Sequence, residues 1–220
     1  MKKLITLILL TFFGFSCSNT SEDSMNPFFT DYEAPYQIPP FEKIKEAHYL
    51  PAFTQGMKEQ LDEIDVIAGN PESPTFENTI VELERTGKTL NKVADVFFNL
   101  LSSNTNDEMD AIAAEISPKL SAHSDAISLN KKLFNRVHEV FEQRNELGLN
   151  TEQNRLVEET HKGFIRSGVQ LDEPSMEILT QINQELSSLS VQFDQNLLKE
   201  TNEGFSLIVE DEKQLDGLPE

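Results

Sequence analysis

Apolar positions recur at helical spacing along most of the chain. Phe53, Met57, Leu61 and Ile64 follow Pro51 at intervals of three and four, so a helix is expected from Pro51 to about Ala68, with the proline in its first turn. Gly69-Asn70-Pro71 ends it. Thr75 is positioned as an N-cap ahead of Phe76-Glu77-Asn78. Phe76, Ile80, Leu83, Leu90, Val93, Phe97 and Leu100 then trace one stripe, interrupted at Gly87. A third helical pattern starts near Asp107 and meets Pro118, which should kink it or open a new helix. Residues 129–147 carry Leu133, Phe134, Val137, Val140 and Phe141 on one face. Thr151 is the expected N-cap of a helix through Leu156 and Phe164. Pro174 opens the longest stripe, Leu179, Ile182, Leu186, Leu189, Phe193 and Leu197.

Two stretches break the period. Residues 27–41 are rich in proline and aromatics, which predicts an extended arm packed along a larger surface. Phe205-Ser206-Leu207-Ile208-Val209 predicts a short strand, and no second strand is visible to pair with it. The expected fold class is mainly α, with a helical lobe over residues 42–203 and the start of a further section, cut short, over 204–220.

Length and composition narrow the class. The chain has 220 residues, with 38 acidic against 18 basic side chains and a formal charge of −20. Such a balance excludes nucleic acid as the main partner and opposes docking on anionic lipid. A single cysteine, Cys17, excludes an internal disulfide framework and a cysteine-based zinc site. Lys2 and Lys3 precede an apolar run over residues 4–13, and Gly14-Phe15-Ser16 leads into Cys17. The run is too short to span a bilayer and reads as a signal peptide over 1–16. The small residue before the lone cysteine resembles a bacterial lipobox, although Gly14 and Phe15 depart from the usual residues there. Cys17 is therefore the expected lipidation site. Residues 17–26 form a polar tether, and the address is the bacterial cell envelope. Removing residues 1–16 leaves 16 basic and 38 acidic side chains, a net of −22.

Motifs for chemistry fail one by one. Gly87-Lys88-Thr89 lacks the upstream glycine of a phosphate-binding loop, since Glu82 stands there. His138-Glu139-Val140-Phe141-Glu142 has a glutamate where a zincin helix needs its second histidine. Glu158-Glu159-Thr160-His161 is a single Glu-x-x-His, where a di-iron bundle needs two such pairs. His48 and His123 have no ligand spacing, and no Gly-x-Ser-x-Gly elbow occurs. No residue is assigned a catalytic, cofactor-binding or metal-ligating role.

Several stretches in register nevertheless carry a resemblance. Ile-Pro-Pro-Phe-Glu-Lys-Ile-Lys-Glu-Ala-His-Tyr-Leu-Pro-Ala-Phe at 38–53, Pro-Thr-Phe-Glu-Asn-Thr at 74–79, Glu-Ile-Ser-Pro-Lys-Leu at 115–120, Leu133-Phe134 and Phe-Ile-Arg-Ser-Gly at 164–168 resemble the opening part of the thimet oligopeptidase family of zinc metallopeptidases. That family includes bacterial peptidyl-dipeptidases and oligopeptidase A. The resemblance implies a two-lobed, mostly helical enzyme around a deep channel that admits short peptides. It implies zinc held by a His-Glu-x-x-His helix and a further glutamate, with a metal-bound water as nucleophile. None of these ligands occurs here, so the segment alone is expected to be inactive and monomeric. Within the family, release of C-terminal dipeptides and internal cleavage both remain open, with the first favoured. The alternatives are a stand-alone helical lipoprotein that binds a peptide or protein without catalysis, and a helical bundle with no ligand.

Overall fold

The structure is a computed structural model that describes residues 25–204, 206 and 208–217. The predicted signal peptide, most of the tether and Cys17 lie outside the described residues. Among the described residues, seven α-helices follow four short 3-10 turns: α1 (Tyr49–Ala68), α2 (Glu82–Glu84), α3 (Lys88–Ser103), α4 (Asp107–Ser128), α5 (Lys131–Gln143), α6 (Thr151–Arg166) and α7 (Glu173–Glu203). Among the described residues there is no strand. Of the segment expected to be one, Ser206, Ile208 and Val209 have no ladder partner, and Phe205 and Leu207 are not described. Nothing in the described body offers the second strand that such a segment requires.

The hydrophobic spacing builds two apolar clusters, and α1 runs through both. Its first half gives Tyr49, Ala52 and Phe53 to a cluster with Phe97 of α3 and Ile112 and Ile116 of α4. Phe53 and Phe97 meet edge to face at 5.3 Å, and Tyr49 and Phe97 at 5.0 Å. The second half gives Ile64 and Ile67 to a cluster with Ile80, Leu133, Val137, Val140, Val157 and Phe164. Gly56 lies between the two sets, with a site for a Cβ only 2.7 Å from the Leu90 nitrogen. That close approach lets α1 and α3 pack backbone to backbone.

The proline-rich arm is pinned rather than simply extended. Turns at Pro27–Phe29, Pro35–Gln37 and Phe41–Lys43 use proline where no N–H is needed. Phe28 enters the first cluster. Asn26 Nδ2 donates to the His48 carbonyl at 2.7 Å, and Lys92 Nζ donates to the Thr30 carbonyl at 2.7 Å while standing over the Tyr32 ring. Tyr36, Ile38 and Phe41 remain exposed.

Three local expectations change. The stripe from Phe76 to Leu100 is two pieces: a π-helical stretch (Phe76–Val81) runs into α2, and α3 starts afresh after Gly87. Gly87 sits at φ 76°, a left-handed conformation that costs a residue with a Cβ. Pro118 neither ends nor restarts a helix, because α4 continues through it. Buried Ile112 and Ile116 before it, and His123 and Asp125 after it, keep both halves of the helix packed despite the missing N–H. Asn150, not Thr151, caps α6, in a reciprocal box with Gln153. Thr75 caps the π-helical stretch as its sequence suggests, paired with Asn78.

Candidate functional site

A groove of about 680 Å³ opens between α4 and α7, with Phe98 of α3 at its side. The spacing of Ser117, Ser121 and Ser124 puts a row of hydroxyls on one face of α4, and Ser187 and Ser190 answer it from α7. Leu120, Leu186 and Val191 supply the apolar part. Two polar clamps fix the helices that form it. The buried Asp125 carboxylate accepts twice from Asn183 Nδ2, at 2.9 and 3.1 Å. Gln195 Nε2 donates to the Asp110 carbonyl at 2.9 Å. The groove therefore has walls clamped to each other at two points and a lining of hydroxyls and apolar side chains.

A second polar constellation lies on the other side of α4. Thr86 donates its hydroxyl to the Leu83 carbonyl at 2.9 Å, so it accepts from Gln60 Nε2 at 3.2 Å. The Gln60 amide is thereby oriented with its oxygen toward His123 Nε2, 2.7 Å away. His123 must then carry its proton on Nε2, which leaves Nδ1 an acceptor, buried and without a partner. Burial pushes the His123 pKa down.

The histidines that the sequence placed in two failed motifs come together. His138 of α5 and His161 of α6 stand with Nδ1 and Nε2 3.0 Å apart, so one ring donates to the other. His161 lies flat on Phe141 at 3.9 Å, and Arg144 covers the opposite face of that phenyl ring. Burial, and then the neighbouring His138, push the His161 pKa down, against an opposing pull from Glu142. His48 Nδ1 accepts from the Lys45 N–H at 3.0 Å. The Gly87 N–H, which a phosphate loop would offer to its ligand, donates instead to Glu63 Oε2 at 2.8 Å. A carboxylate thus occupies the place of the anion.

Sequence reasoning missed Arg136. It falls three residues after Leu133 and four before Val140, a charged residue on the apolar face, and that misfit is the signal. Its guanidinium donates to the Asn70 and Glu72 carbonyls at 2.8 and 3.0 Å, and to Asn78 Oδ1 at 3.0 Å. It ties the loop after α1 and the π-helical stretch to α5.

Among the described residues no three His, Cys, Asp or Glu side chains converge to hold a metal ion. The residues present do not fit a zinc site. Among the same residues, no helix is long and apolar enough to cross a membrane.

Comparison with known proteins finds similar stretches in peptidases. A scan against protein-family models returns no match. Dipeptidyl carboxypeptidase of Escherichia coli is 40% identical over 197 residues, covering 90% of this chain and 29% of that protein. Its counterpart in Salmonella typhimurium is 40% identical over 195 residues, 28% of its length. Oligopeptidase A of Escherichia coli is 26% identical over 195 residues, again 28% of its length. The chain is homologous to the N-terminal portion of this peptidase group, the family of dipeptidyl carboxypeptidase and oligopeptidase A. It spans less than a third of the length of the relatives it matches.

Proposed function

We propose that this chain is the N-terminal helical segment of an envelope-anchored zinc metallopeptidase that hydrolyses short peptides by releasing dipeptides from their C-termini. The observation that carries the reading is the 40% identity to a dipeptidyl carboxypeptidase, against 26% to oligopeptidase A over the same extent. That difference favours removal of C-terminal dipeptides over internal cleavage. The segment acts as a wall that restricts access to short peptides. The metal ligands and the groups that select a free C-terminus belong to the remainder of the enzyme. By itself the segment is an inert monomer.

Purified 220-residue chain is expected to carry no stoichiometric zinc and to release no dipeptide from a short peptide. Bound zinc or turnover would sink the claim of inertness. An open reading frame that continues beyond Glu220 to a His-Glu-x-x-His motif is the expected genomic context. A stop codon there would favour a stand-alone binding lipoprotein. The anchor rests on Lys2, Lys3, the apolar run after them and Cys17. Cys17→Ala is expected to abolish acylation and to move the protein out of the detergent phase. Unchanged partitioning would remove the anchor from the proposal.

A further inference from the structure

Helix α7 has no buried residue. Ile178, Ile182, Leu186, Leu189, Phe193 and Leu197 lie on it, each between 53 and 65% exposed. The row repeats after 11 residues, as 178 with 189, 182 with 193 and 186 with 197. That period is close to the turn of a straight α-helix, so the row stays on one side of the rod instead of winding around it. It is about 28 Å long at 1.5 Å per residue. A monomer rarely leaves so large a contiguous apolar surface to water unless something binds it. Leu186 belongs both to this row and to the α4–α7 groove, so face and groove are one surface. The short serine side chains of the groove would let the backbone of an incoming helix settle close to both walls.

Charge selects the occupant. α7 contains six acidic side chains and one basic, Lys199, and the chain as a whole carries −20. A second copy would bring like charge against like, whereas a helix with basic flanks would meet complementary potential. Length indicates the source, since more than two thirds of the dipeptidyl carboxypeptidase relative has no counterpart in this chain.

We propose that the apolar row of α7 and the α4–α7 groove together dock an amphipathic helix with basic flanks, contributed by the part of the polypeptide that the peptidase relatives possess beyond this stretch. The source named here rests on the peptidase reading; the chemistry of the surface does not.

The direct test uses Leu189→Cys in a Cys17→Ala background. Its thiol should react with a maleimide at the rate of an exposed cysteine in the 220-residue chain, and at least tenfold more slowly in the longer polypeptide. Equal rates would overturn the proposal. A second measurement titrates the 220-residue chain with a labelled 18-residue synthetic helix carrying a leucine stripe and lysine flanks. Saturable binding is expected, at least tenfold tighter than for the same helix with glutamate flanks. Binding should be lost in Phe193→Asp, whose unchanged helical circular dichroism would report an intact fold, and weakened in Ser121→Leu, which fills the groove. No saturable binding, or equal binding of the lysine and glutamate helices, would refute the docking chemistry. So would sedimentation of the chain as a dimer that Phe193→Asp dissociates, because the occupant would then be a second copy. None of these results depends on zinc content or dipeptide release, so docking and the peptidase reading fail separately.

Discussion

At Gly56 an added Cβ would stand 2.7 Å from the Leu90 nitrogen and 2.8 Å from its Cα, so Gly56→Ala must push α1 and α3 apart. At Gly163 the same Cβ would meet nothing within 4 Å, in the last turn of α6. Gly163→Ala is expected to stabilise by about 1 kcal/mol through helix propensity. Gly56→Ala should destabilise by about 1–3 kcal/mol, as overpacking does. Urea unfolding midpoints of the two variants, moving in opposite directions, would check both. Arg136 makes a further prediction. Arg136→Met removes the donor to the part-buried Asn70 and Glu72 carbonyls and one of three donors to Asn78 Oδ1, and loss of about 1–3 kcal/mol is expected in the same assay. His123 and His161 set the response to acid. Both have pKa values depressed below the 6.5 that they regain on unfolding, chiefly through burial. Below that pH the unfolded chain binds more protons than the native one, so stability falls as pH drops through 6.5 toward the native values and is fully present above it. His161→Gln should flatten the decline of the urea midpoint between pH 7.5 and 5.

Elements with a clean three-and-four spacing were legible from sequence. α1, α5 and α7 lie close to where Phe53, Leu133 and Leu186 with their neighbours placed them. The breaks were less legible, because they are decided by partners distant in sequence. Gly87 reads as a weak spot in one stripe, yet it is a full stop, held by the Glu63 carboxylate from α1. Pro118 reads as a kink or a fresh start, yet no new helix begins there, and α4 continues through it with buried residues on both sides. The His138–His161 contact joins residues 23 apart, and it exists only because α5 and α6 pack antiparallel. No local pattern could report it. Gly87→Ala tests the first of these points. It strains a left-handed residue by about 1–2 kcal/mol. It also places a Cβ 2.6 Å from Gln60 Nε2. The expected result combines a lower unfolding midpoint with a shifted His123 imidazole resonance, since Gln60 is what orients that ring. A resonance that does not move would detach His123 from the Gly87 turn.

For the molecule as a whole, charge and shape act together. A net charge of −20 on 220 residues makes self-repulsion substantial at low salt. Raising ionic strength from ~10 mM to ~150 mM, where the Debye length falls from about 30 to 8 Å, should raise the thermal midpoint. A midpoint that falls would mean that attractive surface pairs, such as Arg155 with Glu159 at 2.8 Å, outweigh the repulsion.

The passage of α1 through both apolar clusters has a consequence for how the protein opens. A 20-residue helix that carries Phe53 in one cluster and Ile64 in the other cannot release either without losing its own anchorage. The two clusters should therefore exchange their amide hydrogens as a single unit, with Val93 and Val137 protected to the same free energy. The amides of α7, which packs on the first cluster through half-buried Val191 and has no fully buried residue, should exchange earlier, as a weaker unit that opens before the common spine.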